Sequence, residues 1–217
     1  MIVTIDGPAG AGKSSAARQL ARRLGFRFLD TGAMYRAVAL AGRRRGIDLT
    51  SSADLAQVAA ELVLEISDDR ILMNGEDVTQ AIRTLEITTL TRHVADNEAV
   101  RRRLIDQQRS FAAGRDVVTE GRDQATVVFP HAECKIFLTA GEEERARRRF
   151  QDLSARGEEV DFALVLEKQR LRDRCDVERT FGGLAKADDS IEVSTDGMTP
   201  EQVVDRLEEI VRAIQKK

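Results

Sequence analysis

The sequence is poor in cysteine, in net charge and in long apolar runs, and each shortage excludes a class of protein. Cys134 and Cys175 are the only cysteines among 217 residues. They lack metal-ligand spacing and are too few for a disulfide framework, so we expect two reduced, unreactive thiols. The 34 basic and 37 acidic residues give a formal net charge of -3. That balance gives no global attraction to nucleic acid or to an anionic membrane.

The apolar stretches are too short to span a bilayer, and the first residues read as a folded strand without a basic or cleavable apolar segment. We therefore expect a cytoplasmic protein without a targeting signal. We also expect a monomer that has neither nucleic acid nor a membrane as a partner. A chain of this length can bury the core of one α/β domain and still carry an inserted subdomain.

A complete phosphate-binding motif stands near the start of the chain. Residues 7–14 read GPAGAGKS, which satisfies G-x-x-x-x-G-K-[ST] between a strand-like run and a helix-favouring stretch. The glycines let backbone N–H groups approach phosphate oxygens at a helix N-terminus. Lys13 would neutralise the β- and γ-phosphates, and Ser14 would offer its hydroxyl to Mg²⁺. The motif predicts a nucleoside triphosphate site formed by Gly7, Pro8, Ala9, Gly10, Ala11, Gly12, Lys13, Ser14 and Ser15.

Short apolar runs that alternate with helical patterns predict an α/β fold with a central parallel sheet flanked by helices. Between about 61 and 80 the pattern changes to strict alternation with two turn signals, which predicts a small antiparallel sheet. Helical segments then lead back to Gly114. We therefore expect a core domain over 1–60 and 114–217 and an inserted substrate-binding subdomain over 61–113.

Several arginines and one aspartate are candidates for a second anion site. Arg36 and Arg122 follow strand ends on the ligand side of the predicted sheet, and an arginine can grip a phosphate bidentately. Asp123 is a carboxylate that could accept a hydrogen bond from an exocyclic amine. Three more candidates are Arg101, Arg172 and Arg179. The residues alone leave open that these are surface arginines and a salt-bridged aspartate.

Asp176 shares one helical face with two of these arginines. The spacing Arg172-x-x-x-Asp176-x-x-Arg179 places the three side chains together on a helix or on the loop that leaves it. A solvated ion pair would show the same spacing, so the pattern by itself does not establish a site.

Four segments together carry a resemblance to a known family. They are residues 7–14, Leu29-Asp-Thr-Gly-Ala-Met-Tyr-Arg36, Gly121-Arg-Asp with Thr126-Val-Val-Phe-Pro130, and Glu143-Glu-Arg-Ala-Arg-Arg-Arg149. In this order they resemble the bacterial cytidylate kinases over nearly the whole chain. The resemblance implies a P-loop nucleoside monophosphate kinase fold with a helical lid over about 142–180. It also implies ATP-dependent phosphorylation of CMP and dCMP to CDP and dCDP, with Mg²⁺.

The resemblance also implies a role for each candidate residue. Thr31 and Arg36 would meet the acceptor nucleotide, and Arg122 would share its phosphate with Arg36. Arg101 and Asp123 would face the cytosine. Arg172 and Asp176 would contact the pentose, and Arg179 would reach the phosphates in transfer. Apart from the resemblance, the position of Glu120 at a strand end predicts that it orients a Mg²⁺-bound water. The mechanism also calls for a lid arginine, Arg145, Arg148 or Arg149, to supply transition-state charge. The implied catalytic set is Lys13, Arg122, Arg179 and Arg148.

The chain departs from the family pattern at three places. Arg92 stands where a serine is usual, Gln124-Ala125 follows Asp123, and Gly183-Leu184 replaces an expected Pro-Leu. These departures leave base preference and the end of the lid open. The alternatives are a UMP, AMP or shikimate kinase on the same fold, or a nucleotide-binding module without turnover.

Overall fold

Five parallel strands form the central sheet of the computed structural model, which describes residues 1–155 and 157–216. The order across this sheet is β2-β6-β1-β7-β8. Its strands are β1 (Ile2–Asp6), β2 (Arg27–Asp30), β6 (Val117–Gly121), β7 (Cys134–Thr139) and β8 (Ile191–Ser194). Because all five run in parallel, their carboxyl ends meet at one edge, where open α/β sheets bind ligands.

Helices cover both faces of this sheet. They are α1 (Lys13–Leu24), α2 (Thr31–Arg45), α3 (Ser52–Glu61), α4 (Leu85–Ala95), α5 (Glu98–Ala112), α6 (Glu142–Ala155), α7 (Phe162–Glu178) and α8 (Pro200–Gln215). Local sequence sets their ends. Gly25 ends α1 in a left-handed conformation, and a capping box between Thr199 and Gln202 begins α8. None of the helices in the described ranges is long and apolar enough to cross a membrane.

A second, antiparallel sheet consists of three short strands. They are β3 (Leu64–Ile66), β4 (Ile71–Met73) and β5 (Glu76–Asp77). Asn74 and Gly75, both at positive φ, make the turn between β4 and β5. The predicted fold class is therefore confirmed: a parallel sheet flanked by helices with a small antiparallel insert. The division into two domains stays a prediction, since one apolar core runs from α2 through the insert to α5.

The second apolar core lies on the other side of the parallel sheet. Leu20 of α1 and Leu207 of α8 pack there against Phe28, Ile136 and neighbouring strand residues. The free thiol of Cys134 is buried in this core, and burial raises its pKa to about 12, while Cys175 is exposed. Cys134 is therefore protonated and inert at neutral pH, as predicted.

The turn of the antiparallel insert is bound to the edge of the parallel sheet. One carboxylate oxygen of Asp68 accepts hydrogen bonds from Arg27 Nε at 2.8 Å and from the Phe28 N–H at 3.1 Å. Arg18, whose guanidinium lies 4.6 Å from the Phe28 ring centroid, donates to the Asp68 carbonyl and to Asp69. The insert is thus joined to the rest of the protein by its two chain connections, and its hairpin turn is bound to β2 as well.

The structure adds three elements that the sequence patterns did not predict. The additions are α3, which begins at the N-cap Ser51, a 3₁₀ turn over Ala81–Arg83 and a π-helical turn over Gln124–Val128. The helix α2 begins at Thr31, because the Asp30 carboxylate caps it by accepting the Ala33 N–H at 2.8 Å.

Candidate active site

The phosphate-binding motif forms a turn between β1 and α1. Gly7, Gly10 and Gly12 all have positive φ, so the backbone follows a path that residues with side chains rarely adopt. Lys13 is the first residue of α1, and its Nζ donates to the Pro8 carbonyl at 2.8 Å, across the turn. The motif therefore has the strand, turn and helix that its sequence predicted.

The amine of Lys13 is buried in the free protein. Burial, followed by the like charges of Arg122 and Arg172, lowers its pKa to about 7. Glu120 and Asp6 act in the opposite direction. A negatively charged ligand at the turn would favour the charged form of Lys13, so the site suits an anion.

Replacing Gly7 with alanine is expected to lower the free energy of unfolding by about 4 kcal/mol, the sum of a positive-φ penalty and overpacking. Gly7 has φ 149°, and an added Cβ would overlap the Leu138 carbonyl oxygen of β7. Gly12→Ala is the matched control, because Gly12 also has positive φ but its Cβ would meet open space. Urea unfolding compares the two variants, and equal losses would contradict this steric account.

Ser14 and Glu120 offer oxygen ligands beside the turn. The Ser14 hydroxyl donates to Glu120 Oε1 at 2.9 Å, and the Thr31 hydroxyl donates to the Glu120 carbonyl at 2.7 Å. No group of three or more His, Cys, Asp or Glu side chains that could hold a metal ion is present in residues 1–155 and 157–216. A hydroxyl and one carboxylate nevertheless fit Mg²⁺, which keeps several waters and binds substrate phosphates.

Asp6 connects the end of β1 to the segment after β6. Its two carboxylate oxygens accept the N–H groups of Gln124 at 2.9 Å and Ala125 at 2.7 Å. The same segment carries Arg122 and Asp123, which are therefore held beside the phosphate-binding turn. Burial raises the pKa of Asp6 to about 7, although the two backbone hydrogen bonds act against the shift.

The raised pKa of Asp6 predicts a pH-dependent stability. Native Asp6 keeps its proton up to about pH 7, whereas the unfolded chain releases it near pH 3.8, the usual pKa of an aspartate. Stability from this group is thus lost as pH rises, by about 1 kcal/mol per pH unit between pH 5 and 7. The difference in free energy of unfolding between wild type and Asp6→Asn should fall accordingly. Urea unfolding at pH 5, 6 and 7 measures it.

The matched control is Asp48→Asn, at an exposed carboxylate whose pKa is lowered by hydrogen bonds from Thr50. Asp48 is ionised in both the folded and the unfolded states between pH 5 and 7, so its difference from wild type should not change. If the difference in free energy of unfolding between wild type and Asp6→Asn also stayed constant from pH 5 to 7, the raised pKa of Asp6 would be contradicted.

A chain of ion pairs links the end of α7 to the loop after β6. Arg122 Nε donates to Asp176 at 2.8 Å, and the other oxygen of Asp176 accepts from Arg179 at 3.0 Å. Arg179 also donates to Asp96 at 2.8 Å. Burial opposes ionisation of Asp176, but Arg122, Arg179 and Arg172 outweigh it and hold its pKa below the usual value. These opposite charges keep several arginines together without a ligand.

Arg101 and Asp123 form a second, deeper ion pair. Arg101 Nη2 lies 2.5 Å from Asp123 Oδ2, and the two side chains are only 4% and 6% exposed. Arg101 also donates to the Ala95 carbonyl at 3.1 Å, and its guanidinium lies 5.3 Å from the Tyr35 ring centroid. A buried carboxylate and a buried guanidinium side by side can present both an acceptor and donors to a planar polar group.

Arg36 lies at the start of α2 with a donor left free. It donates to Asp30 at 3.3 Å, and Arg83 reaches the same carboxylate at 3.4 Å. Arg36 Nε is buried and has no hydrogen-bond partner in the described structure. An unpaired buried donor is unfavourable, so Arg36 would gain from a rearrangement that gives its Nε a partner.

Comparison with known proteins decides the family. A family model described as cytidylate kinase matches residues 3–215. The chain belongs to the cytidylate kinase family. A relative from Rhodopirellula baltica named cytidylate kinase is 50% identical over 212 residues, covering 98% of this chain and 93% of the relative. Another with the same name, from Geobacter sp. strain M21, is 45% identical over 216 residues with the same coverage.

A solved structure gives a more distant likeness. The shikimate kinase of Bacteroides thetaiotaomicron covers 98% of both chains with a TM-score of 0.50, at 14% identity. A likeness at this identity shows the kinase fold alone. The family assignment therefore rests on the sequence relatives and on the family model.

The arginines of α6 take different positions in this member of the cytidylate kinase family. Arg145 donates to the Ala9 carbonyl of the phosphate-binding turn at 3.0 Å and pairs with Asp173 at 2.6 Å. Arg148 instead donates to the hydroxyl and the carbonyl of Thr195, each at 3.0 Å, just after the end of β8. The structure thus brings Arg145 to the turn and holds Arg148 against Thr195, while Arg149 is half-buried.

The structure shows the contacts of two residues that depart from the family pattern. Gln124 accepts from the Thr119 hydroxyl at 2.9 Å and donates to Gln108 at 3.1 Å, so it belongs to a buried network behind β6. Arg92 is exposed on α4, where its Nε lies 3.4 Å from His93. The third departure, Gly183, closely follows the end of α7.

Sequence reasoning missed Asp6, Asp30 and Arg83 as members of the site. Asp6 precedes the phosphate motif directly, but its partners lie 118 and 119 residues away. Asp30 was part of the family-like segment and was not assigned a role. For Asp6 and Asp30, the only signal in the sequence was an acidic residue at the end of a predicted strand.

Proposed function

We propose that this chain transfers the γ-phosphoryl group of ATP to the 5′-phosphate of CMP or dCMP, giving CDP or dCDP. The observation that carries the proposal is the bridge made by Asp6, which joins the phosphate-binding turn to the segment with Arg122 and Asp123. A donor site at the turn and an acceptor site around Arg122 and Asp123 would therefore lie side by side.

On the donor side, the turn from Gly7 to Ser15 would hold the ATP phosphates through its N–H groups. Lys13 would neutralise charge on the β- and γ-phosphates. Ser14 and Glu120 would hold Mg²⁺, directly or through water, and the ion would neutralise charge that develops on the phosphates. In-line transfer needs positioning and charge neutralisation and no strong base, because the acceptor phosphate is already ionised.

On the acceptor side, Arg36 and Arg122 would bind the 5′-phosphate of the nucleotide, supported by Thr31 at the N-terminus of α2. Arg179 would bind the phosphoryl group in transfer. Arg172 and Asp176 would meet the pentose. The internal ion pairs of Arg122 and Arg179 with Asp176 support these roles, since they hold the arginines ready to offset repulsion between two anionic substrates.

Arg101 and Asp123 would read the base. The N4 amine of cytosine can donate a hydrogen bond to a carboxylate. Its ring carbonyl and ring nitrogen can accept hydrogen bonds from a guanidinium. Uracil has a carbonyl at the amine position and would face Asp123 with like polarity. The pairing at 2.5 Å supports this assignment because it fixes both groups in one place.

The lid over about 142–180 comprises α6 and α7 and would close over the nucleotides. Among its arginines, the contact of Arg145 with the Ala9 carbonyl supports a part in the donor site. Arg148 would need to leave Thr195 to reach the phosphates. We take the active unit as a monomer with an insert over 61–113, acting on small molecules without nucleic acid or membrane.

An acceptor panel tests the proposal. Release of ADP from ATP in the presence of Mg²⁺ is measured with CMP, dCMP, UMP, AMP and shikimate as acceptors. CMP and dCMP are expected to give the highest kcat/KM. A higher value with AMP or shikimate would overturn the proposed acceptor, and no turnover with any of the five would favour a binding module.

A further inference from the structure

The segment after α7 lies directly against the Arg101–Asp123 pair. The Gly182 carbonyl accepts a hydrogen bond from Arg101 Nη2 at 3.0 Å. The same nitrogen donates to Asp123 Oδ2 at 2.5 Å. One nitrogen of Arg101 thus donates to both the carboxylate and the backbone of residue 182. The orientation of the pair therefore depends on where that backbone lies.

Gly182 approaches this pair more closely than a residue with a side chain could. Its φ is +69°, and an added Cβ would lie 2.6 Å from Arg101 Nε and overlap Asp123 Oδ2. Arg101 Nε is itself buried and has no hydrogen-bond partner in the described structure. A side chain at position 182 would therefore occupy space that the buried Arg101–Asp123 pair already fills.

The segment is also fixed on both sides of Gly182. The Phe181 ring packs against the apolar core, and the Arg102 guanidinium lies 4.7 Å from its centroid. On the other side, the Leu184 N–H donates to the Asp176 carbonyl at 2.7 Å, and a Cβ on Gly183 would lie 2.7 Å from the Arg179 carbonyl. The backbone at 182 cannot retreat without disturbing the end of α7.

We propose that Gly182 is a positioning residue that determines base specificity by fixing Arg101 and Asp123. The inference rests on the proposed function, in which this pair reads the cytosine. A methyl group at 182 would displace the carboxylate from the position where it accepts the N4 amine. The donor site lies on the other side of the Asp6 bridge and would keep its geometry.

The test compares Gly182→Ala with Gly46→Ala. Gly46 has φ +67°, and its Cβ would meet open space, so both variants carry the same backbone penalty and only one carries the clash. For Gly182→Ala we expect the KM for CMP to rise about tenfold and the ratio of kcat/KM for CMP over UMP to fall about tenfold. The KM for ATP should stay within about twofold. Gly46→Ala should leave all three values as in the wild type.

Phe181→Leu is a second variant that keeps the apolar packing but weakens the contact with Arg102. It should lower the CMP over UMP ratio in the same direction, and it decides the question if Gly182→Ala does not fold. An unchanged ratio in the folded variant overturns this inference alone, as does an equal rise in the KM for CMP and ATP. A wild-type enzyme that does not phosphorylate CMP overturns the proposed function, and this inference with it.

Discussion

A Lys13→Met variant is expected to lose on the order of 10³-fold in kcat with CMP as acceptor, because one preorganised cation at the transferring phosphate is removed. Lys13 is buried and held across the turn by the Pro8 carbonyl, so no other lysine can replace it without a rearrangement. Methionine keeps the apolar stem and removes the charge. Single-turnover kinetics with saturating ATP and CMP measure the chemical step.

Lys135→Met is the matched control. Lys135 is also buried, and its Nζ also donates to the carbonyl of a proline five residues earlier, Pro130, at 2.6 Å. Its ion partner is Asp189, near the amino ends of the strands and away from the ligand edge. We expect Lys135→Met to lose stability and to keep kcat. A similar loss of kcat in the two variants would contradict a direct role for Lys13.

An Asp123→Asn variant is expected to lose about 100-fold in kcat/KM for CMP, while the KM for ATP changes little. Asparagine has nearly the same shape and can still accept from Arg101, so the buried guanidinium keeps a partner. Its amide can donate to a carbonyl, which favours the O4 of uracil over the N4 amine of cytosine. The ratio of kcat/KM for CMP to that for UMP should therefore fall. The ratio of kcat/KM for CMP to that for dCMP is the reference, and it should fall less.

Asp189→Asn is the control, since Asp189 is a carboxylate paired with Lys135 outside the site. It should leave both acceptors as in the wild type. If Asp123→Asn reduced the affinity for ATP and CMP equally, Asp123 would be a structural residue and not a reader of the base. Equilibrium binding of each nucleotide separates these outcomes without turnover.

The sequence was sufficient for most of the fold because its signals are local. The phosphate motif and the alternating insert each carry their pattern within about twenty residues, and each lies where it was predicted. The helix α3 was missed although Ser51 and Asp54 form a usual N-terminus. The π-helical turn could not be predicted, because its support comes from Asp6, more than a hundred residues away.

The candidate site was predicted as a set of residues and not as an arrangement. The sequence singled out Arg101, Asp123, Asp176 and Arg179, but only the structure shows which carboxylate pairs with which arginine. The contact of Gly182 with Arg101 joins positions 81 residues apart and depends on a backbone approach that no side-chain pattern encodes. The roles of these residues in binding and transfer stay predictions that the variants above would test.

The attachment of Asp68 to β2 also bears on the exposed edge of the parallel sheet. The strand β2 lies at one edge of the parallel sheet, and edge strands with free N–H groups invite pairing with another chain. The Asp68 carboxylate takes the Phe28 N–H and places a charge beside it. An Asp68→Ala variant would expose that donor and remove the charge together. The insert thus occupies one N–H of the edge strand and places a charge beside it, and both features disfavour edge-to-edge pairing. This consequence is separate from any contact with a nucleotide.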